Sequence, residues 1–403
     1  MKTAERVRRG YERRPYPFGN SKALTSLLWR LDLKWVSAMG RIDSSNDAPA
    51  RVLVAGCGDG TEAFNLQRML PQSEIVAVDF SARSISIARR LQRRAPELRR
   101  IRFVLGDLAD RRLCSRLGEF DLITCQGVLS YVPNPGPVLK NLGLCLVPDG
   151  VLYAGVNGAN HTSRLLRPAL AKFGYDLNEY SDTRRLRGVL ALCDTFVAAD
   201  RRPRISGFGP AYLASDVFGA LNQSRSLADW ISRARWAGLQ LLGNKAAMAL
   251  FWRLAQDESY PLLIPWSRAQ VCEFLELLCP SAFHQLLFSR KAQPAPPWQE
   301  RGRLLLQRVA LTRLYDIEFP KAGRRVLDRL RRLRITSVSM NVATEWRMPE
   351  WEMELLRGAD GGRSLASQLR ECPLSVPFAE LRKQLYLLYQ LGVINLLPAR
   401  DGS

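Results

Sequence analysis

The sequence predicts an α/β fold, a parallel sheet covered by helices on both faces. Three observations predict it. Short, near-continuous apolar runs recur from Arg51 to Asn157, stretches of helical periodicity lie between them, and a glycine-rich turn follows the first run. Strands buried on both faces read as unbroken apolar segments, and parallel strands need a helical crossover between them.

Each element can be justified in order. RVLVAG (51–56) is a strand bounded by glycine, and 61–70 has helical periodicity. EIVAVD (74–79) is the second strand and 82–95 the second helix. IRFVLGD (101–107) and FDLITC (120–125) are the third and fourth strands. A helix over 138–150 ends in a turn and leads to the fifth strand, VLYAGVN (151–157). Residues 158–224 are irregular and Arg-rich and read as an insertion. SLADWISRARWAGLQLLG (226–243) restores a helix, a glycine break and a strand, so the sheet is expected to close near Asn244. Ahead of the sheet, YERRPYPFGN (11–20) is a basic, aromatic lead-in broken by proline and glycine, and a helix is expected over 22–39. Behind it, 271–288 has a helical apolar pattern and QPAPPWQ (293–299) reads as a linker. A basic stretch over 300–334 reads as helical. The end reads as helices at 353–362, 364–369 and 378–392, followed by a strand or wing at 393–397.

Composition bounds the partners. There are 59 Lys+Arg against 38 Asp+Glu, a net charge of +21. Such a surface favours nucleic acid, anionic lipid or acidic proteins. Much of the excess is arginine scattered through helical segments, as at Arg89, Arg90, Arg93 and Arg94, which compositional bias alone produces. No apolar stretch follows the basic Met1–Arg14, and no run reaches the roughly 18 residues of a membrane span. The eight cysteines are dispersed, without metal spacing, and Cys57, Cys125 and Cys145 lie in apolar segments. A reduced, cytoplasmic protein without a metal site is expected.

The chemistry is concentrated in AGCGDG (55–60). Gly56, Gly58 and Gly60 allow a tight turn whose backbone approaches a ligand closely. Asp79 ends the second strand, where a carboxylate accepts hydrogen bonds from two ribose hydroxyls, and Asp107 ends the third, beside an adenine site. Both lie at carboxyl ends of parallel strands. A dinucleotide and S-adenosyl-L-methionine both use such a site. The G-x-G-x-G spacing fits the second, because Asp59 repels a pyrophosphate and suits a cationic amino group. Ala55, Gly56, Cys57, Gly58, Gly60, Asp79, Phe80, Asp107, Leu108 and Gln126 are the candidate cofactor residues.

The segments VLVAGCGDGTEAFNL, IVAVDFSARSISIAR, FVLGDLAD and FDLITCQGVLSYVPNP resemble the successive motifs of class I S-adenosylmethionine-dependent methyltransferases. The likeness extends to bacterial protein lysine methyltransferases that carry a methyltransferase regulatory domain. RPYPF (14–18) resembles their YPYP-like lead-in, GVLSYVP (127–133) their GVxSWVP, and 335–369 their C-terminal winged-helix-like module. The resemblance implies a Rossmann-like sheet with a helical middle region and that C-terminal module. It divides the chain into a lead-in or lid (1–45), the methyltransferase domain (46–246), a helical regulatory region (247–299) and the C-terminal module (300–403). It implies methyl transfer, foremost to a protein lysine amine. A small-molecule acceptor is the alternative, with a non-catalytic scaffold or an RNA methyltransferase behind it.

The chain departs from the family at Gln126, Tyr131, Ala159–His161, Ala214 and Ser215, all on the acceptor side. Methyl transfer from a sulfonium needs orientation and desolvation more than a strong base. Tyr131 and Asn157 are the candidate catalytic residues, with wall packing and chain turning as their plainer readings. Tyr16 is a candidate lid residue or a cover for the sheet edge. His161 is a candidate acceptor contact, whereas His284 is expected to be packed in an apolar helix, and Trp230 and Trp236 to be core.

Overall fold

A computed structural model describes residues 3–28, 31–40, 49–196, 204–254, 260–291, 296–312, 314–319, 331–337, 340, 342–370 and 376–398. They form two compact units. The first comprises 1–31, 47–241 and 279–291, and the second 32–46, 242–278 and 292–403. The expected cuts at 45/46, 246/247 and 299/300 do not coincide with these units, and the four-part division is kept as a proposal.

The first unit is built on the expected strands Arg51–Ala55 (β1), Glu74–Asp79 (β2), Ile101–Leu105 (β3), Phe120–Gln126 (β4) and Leu146–Asn157 (β5). They are all parallel, paired β3-β2-β1-β4-β5. Gln240–Asn244 (β6) and Phe283–Ser289 (β7) complete a sheet of order β3-β2-β1-β4-β5-β7-β6, and the unit boundary falls within β6. β7 runs antiparallel to β5, from Val151 opposite Ser289 to Asn157 opposite Phe283.

β7 corrects two readings. The apolar run at 271–288 is a helix only over Arg268–Leu278, and the sheet does not close at Asn244. An apolar run buried on both faces carries no period that separates strand from helix. Pro280 is the signal that divides it. His284 is therefore buried in a strand and not in a helix.

The helices begin where capping chemistry places them. Ser81 accepts a hydrogen bond from Ser84 N at the start of Ala82–Gln92, Asp110 from Arg112 N, and Asn134 from Gly136 N ahead of Pro135–Leu144. Two helices differ from expectation. Thr3–Arg13 is helical, ending before Pro15, and 22–39 is split into Lys22–Thr25 and Leu33–Gly40. The insertion is not irregular. Helices Ser163–Lys172 and Arg184–Phe196 pack Leu166, Leu170, Leu186 and Leu190 on Leu213 and Phe218 in a core of their own. Its arginines masked the apolar spacing. Trp230 is core, but Trp236 is 68 % exposed, against expectation.

In the second unit, Leu33–Gly40 buries Trp35, whose indole N–H donates to Met248 Sδ at 3.2 Å. Arg268 is buried, stacks on Tyr389 and donates to its carbonyl at 2.7 Å. The stretch 300–334 is not one helix. It holds Arg301–Leu306, then strands Arg308–Leu311 (β8), Asp316–Glu318 (β9) and Arg331–Ser337 (β10). Arg324, Arg325 and Arg329 lie outside the described residues. Val342–Met348 (β11) pairs with β10. Asp360–Ser364 (β12) and Ile394–Leu397 (β13) flank β8 in a second small sheet, accompanied by helices Glu350–Arg357, Leu365–Arg370 and Phe378–Gln390. The winged-helix reading of this module is kept as a proposal. The segment GADGG, expected within a helix, is where the first helix ends and β12 runs. No helix among the described residues is long and apolar enough to cross a membrane.

Candidate cofactor and acceptor site

The strand order reverses between β1 and β4, and the carboxyl ends of the parallel strands open there, the expected ligand edge of such a sheet. A cavity of about 560 Å³ occupies it. Gly56, Cys57, Gly58, Asp79, Phe80, Asp107, Leu108 and Gln126 all line it.

The loop after β1 is held by the second strand. Gly56 N and Cys57 N both donate to Val78 O, and Gly58 N donates to Asp79 Oδ2 at 2.9 Å. Gly56 and Gly58 have φ of +83° and +54°. A Cβ on Gly56 would lie 2.1 Å from a Val128 methyl, and one on Gly58 2.5 Å from Tyr16 O. Two expected residues do not reach the cavity. Ala55 is buried in β1. Gly60 packs against Phe64 and Ala88, where a Cβ would come within 2.7 Å of the Phe64 ring.

Asp79 is 7 % exposed and accepts one amide on each oxygen, from Gly58 and from Ser81 at 2.9 Å. Each oxygen keeps a lone pair for a ribose hydroxyl. Burial pushes its carboxyl up to about 6, against the pull of those two amides. Asp107 accepts from Ala109 N and is exposed at the cavity edge.

Asp59 is placed differently from the expectation that it meets a cationic amino group. It is fully buried and does not line the cavity. Its Oδ2 accepts from Phe18 N and Gly19 N at 2.9 and 2.8 Å, and its Oδ1 from the Thr61 hydroxyl and amide. Asp59 N donates to Tyr16 O. Asp59 thus fastens the lead-in over the loop. Glu12 fastens its other end, accepting from Ala82 N and Arg83 N, while Arg83 donates back to Glu12 O. Tyr11, against Phe80 at 5.9 Å, and Tyr16 both line the cavity. The sequence reading named Tyr16 and missed Tyr11, because the helix that presents it was missed.

A second cavity of about 560 Å³ shares Val7, Tyr11, Tyr16 and Tyr131 with the first. Its remaining walls come from the N-terminal helix, from Arg14 and Pro15 after it, and from residues within 176–181 and 211–221. The three tyrosines therefore stand where the two cavities meet. The Tyr131 hydroxyl donates to Asp216 Oδ1 and accepts from Asn157 Nδ2 at 3.0 Å. Asp216 also accepts from the Ser215 hydroxyl at 2.6 Å, and Asn157 Nδ2 donates to Asn222 Oδ1. Trp230 Nε1 donates to Asn157 O, so that residue is clamped from both ends.

Asn157 and His161 line neither cavity; Asn157 holds the Tyr131 hydroxyl, and His161 lies beside Asp216. His161 Nδ1 accepts from Ser163 N, which leaves the ring proton on Nε2, 3.6 Å from Asp216 Oδ1. Burial pulls His161 down to about 4, so the ring is neutral and this is not an ion pair. Burial raises Asp216 to about 6 and Tyr131 well above its ordinary value. Asp216 was missed in the sequence. Its signal was a lone acid in the apolar run YLASDVF, on the residue after two recognised departures.

A family model described as a methyltransferase domain matches residues 53–152. The trans-aconitate 2-methyltransferase of Deinococcus radiodurans is 30 % identical over 135 residues, 33 % of this chain and 48 % of that protein. The malonyl-[acyl-carrier protein] O-methyltransferase of Bacillus cereus is 32 % identical over 114 residues, 28 % of this chain and 40 % of that protein. The chain thus covers about half or less of these relatives' lengths. PKMT2 from Rickettsia typhi, solved with AdoHcy, superposes with a TM-score of 0.57 at 15 % identity, over 95 % of this chain and 77 % of that one. The chain carries a class I S-adenosylmethionine-dependent methyltransferase domain, and S-adenosyl-L-methionine is the cofactor of that domain. Over nearly its whole length the fold resembles that of PKMT2.

The residues present fit this cofactor. The loop approaches closely only because Gly56 and Gly58 lack a Cβ, and Asp79 offers two acceptor oxygens. Among the described residues that line the cavity, the acids Glu5, Asp79 and Asp107 outnumber the one cation, Arg8, a balance that suits a cationic nucleoside and not a pyrophosphate.

Proposed function

We propose that the protein transfers a methyl group from S-adenosyl-L-methionine to a side-chain amine of a protein, foremost a lysine, in the cytoplasm. The observation that carries this reading is the three-tyrosine junction over a buried carboxylate, between the donor cavity and a second cavity. Aromatic faces attract an ammonium group and accommodate its alkyl stem. The fold likeness to PKMT2 supports it.

When bound, the cofactor supplies a methyl group on a sulfonium leaving group. Gly56, Gly58, Asp79 and Asp107 would hold it, with Phe80 and Leu108 as wall. Tyr11, Tyr16 and Tyr131 exclude water from the junction, which favours the neutral, nucleophilic form of an amine. Asp216, ionised at neutral pH, keeps the Tyr131 proton directed away from the junction. With Asn157 on one lone pair, Tyr131 Oη has one left to accept an N–H of the entering nitrogen, which orients that nitrogen's own lone pair.

A second reading is favoured by one observation. Arg6, Arg9, Arg13 and Arg14 outnumber the acids Asp176 and Glu179 around the second cavity, which suits a small anionic acceptor. The test is mass spectrometry of lysate proteins and of lysate metabolites after incubation with isotopically labelled cofactor. Label on lysine supports the first reading, label confined to small acids the second, and label on RNA or nowhere contradicts both.

A further inference from the structure

Glu62, the second residue of helix Thr61–Met69, is 4 % exposed and lines the donor cavity. Its Oε1 has no hydrogen-bond partner. A buried carboxylate oxygen without a partner is costly unless a ligand supplies one. The groups that face Glu62 are the Cys57 thiol on the loop and the Thr124 hydroxyl and Cys125 thiol on β4. None is a cation. Asp59, the carboxylate that the loop sequence offers for a cationic amino group, is consumed by the lead-in.

We propose that Glu62 is the residue that receives the α-ammonium of the cofactor's methionyl group. This rests on the reading of the cavity as the donor site. The ammonium supplies the missing donor to Oε1 and a compensating charge, which makes the interaction a charge-assisted hydrogen bond. Glu62 is then a binding residue that discriminates ligands bearing the amino-acid end from those without it. Burial holds the free carboxyl up at about 8, so at pH 7 the empty site carries a proton there. An ammonium alongside favours the ionised form, and that proton leaves to solvent when the ligand enters.

The test is calorimetry with two ligands, S-adenosylhomocysteine and 5′-methylthioadenosine, which lacks the amino-acid end. Glu62→Gln keeps the size and removes the charge. It should weaken S-adenosylhomocysteine roughly 10- to 100-fold, the span expected of one charged hydrogen bond, and leave methylthioadenosine unchanged. In buffers of differing ionisation enthalpy at pH 7, the wild type should release close to one proton on binding S-adenosylhomocysteine and E62Q none. Equal weakening of both ligands, or unchanged affinity and proton release, overturns the assignment. If the folded wild type binds neither ligand, the donor-site reading itself fails.

Discussion

Gly58→Ala concentrates the account of the cofactor loop in one methyl group. Gly58 has φ of +54°, where a non-glycine residue costs about 1 kcal/mol. The added Cβ would sit 2.5 Å from Tyr16 O, so the lead-in must retreat by about half an ångström or more to reach a tolerable contact. That retreat strains the Asp59 N to Tyr16 O bond at 3.1 Å and the Gly58 N to Asp79 bond at 2.9 Å, each worth about 1 kcal/mol. The sum is about 2–3 kcal/mol. Part falls on stability and part on affinity, because the same two bonds shape the cavity. Gly174→Ala is the control. Its φ is +78°, and nothing lies within 4 Å of the added Cβ, so only the backbone strain remains. Thermal unfolding should show Gly58→Ala clearly below Gly174→Ala, and calorimetry should show S-adenosylhomocysteine weakened at least tenfold only in the former. Equal unfolding temperatures with unchanged affinity in both would refute the close-approach argument.

Asp59→Ala should free the lead-in, costing about 2 kcal/mol as its four donors lose their acceptor, and should hasten tryptic cleavage after Arg13; an unchanged cleavage rate counts against the fastening role. Affinity for 5′-methylthioadenosine, which does not engage Glu62, should fall about tenfold between pH 7 and pH 5, because Asp79 protonates through about 6 and a protonated oxygen accepts poorly from ribose. The sign for stability is opposite: a raised carboxyl stabilises the empty protein at acid pH, and that contribution is lost as pH rises through about 6. Affinity that is flat from pH 7 to 5 would argue against an ionised Asp79. Tyr131→Phe removes the bonds to Asp216 and Asn157, and should lower kcat roughly 10- to 100-fold while S-adenosylhomocysteine affinity stays within about threefold; a parallel loss of affinity would make Tyr131 a wall residue.

The residues that line the first cavity were legible because their placement is local. Gly56, Gly58, Asp79 and Asp107 sit at strand ends, and strand ends follow from apolar runs. Ala55 and Gly60 do not line that cavity; a loop sequence does not say which glycine faces the cavity and which faces Phe64. The acceptor half depends on contacts across long sequence separations, as between Tyr131 and Asp216. No spacing rule reports such a pair. Asp59 and Glu62 show the same limit at short range. Three residues apart, both buried, they are assigned to different partners only by the lead-in that folds back from residue 18. β7 was hidden because a strand buried on both faces has no period of its own.

The central claim is that this cavity binds S-adenosyl-L-methionine through Asp79. Calorimetric titration of the wild type and Asp79→Ala with S-adenosylhomocysteine tests it most directly. The account predicts saturable binding at one per chain in the wild type and none measurable in a folded Asp79→Ala. Unchanged affinity in that variant, or no binding by the folded wild type, would contradict it.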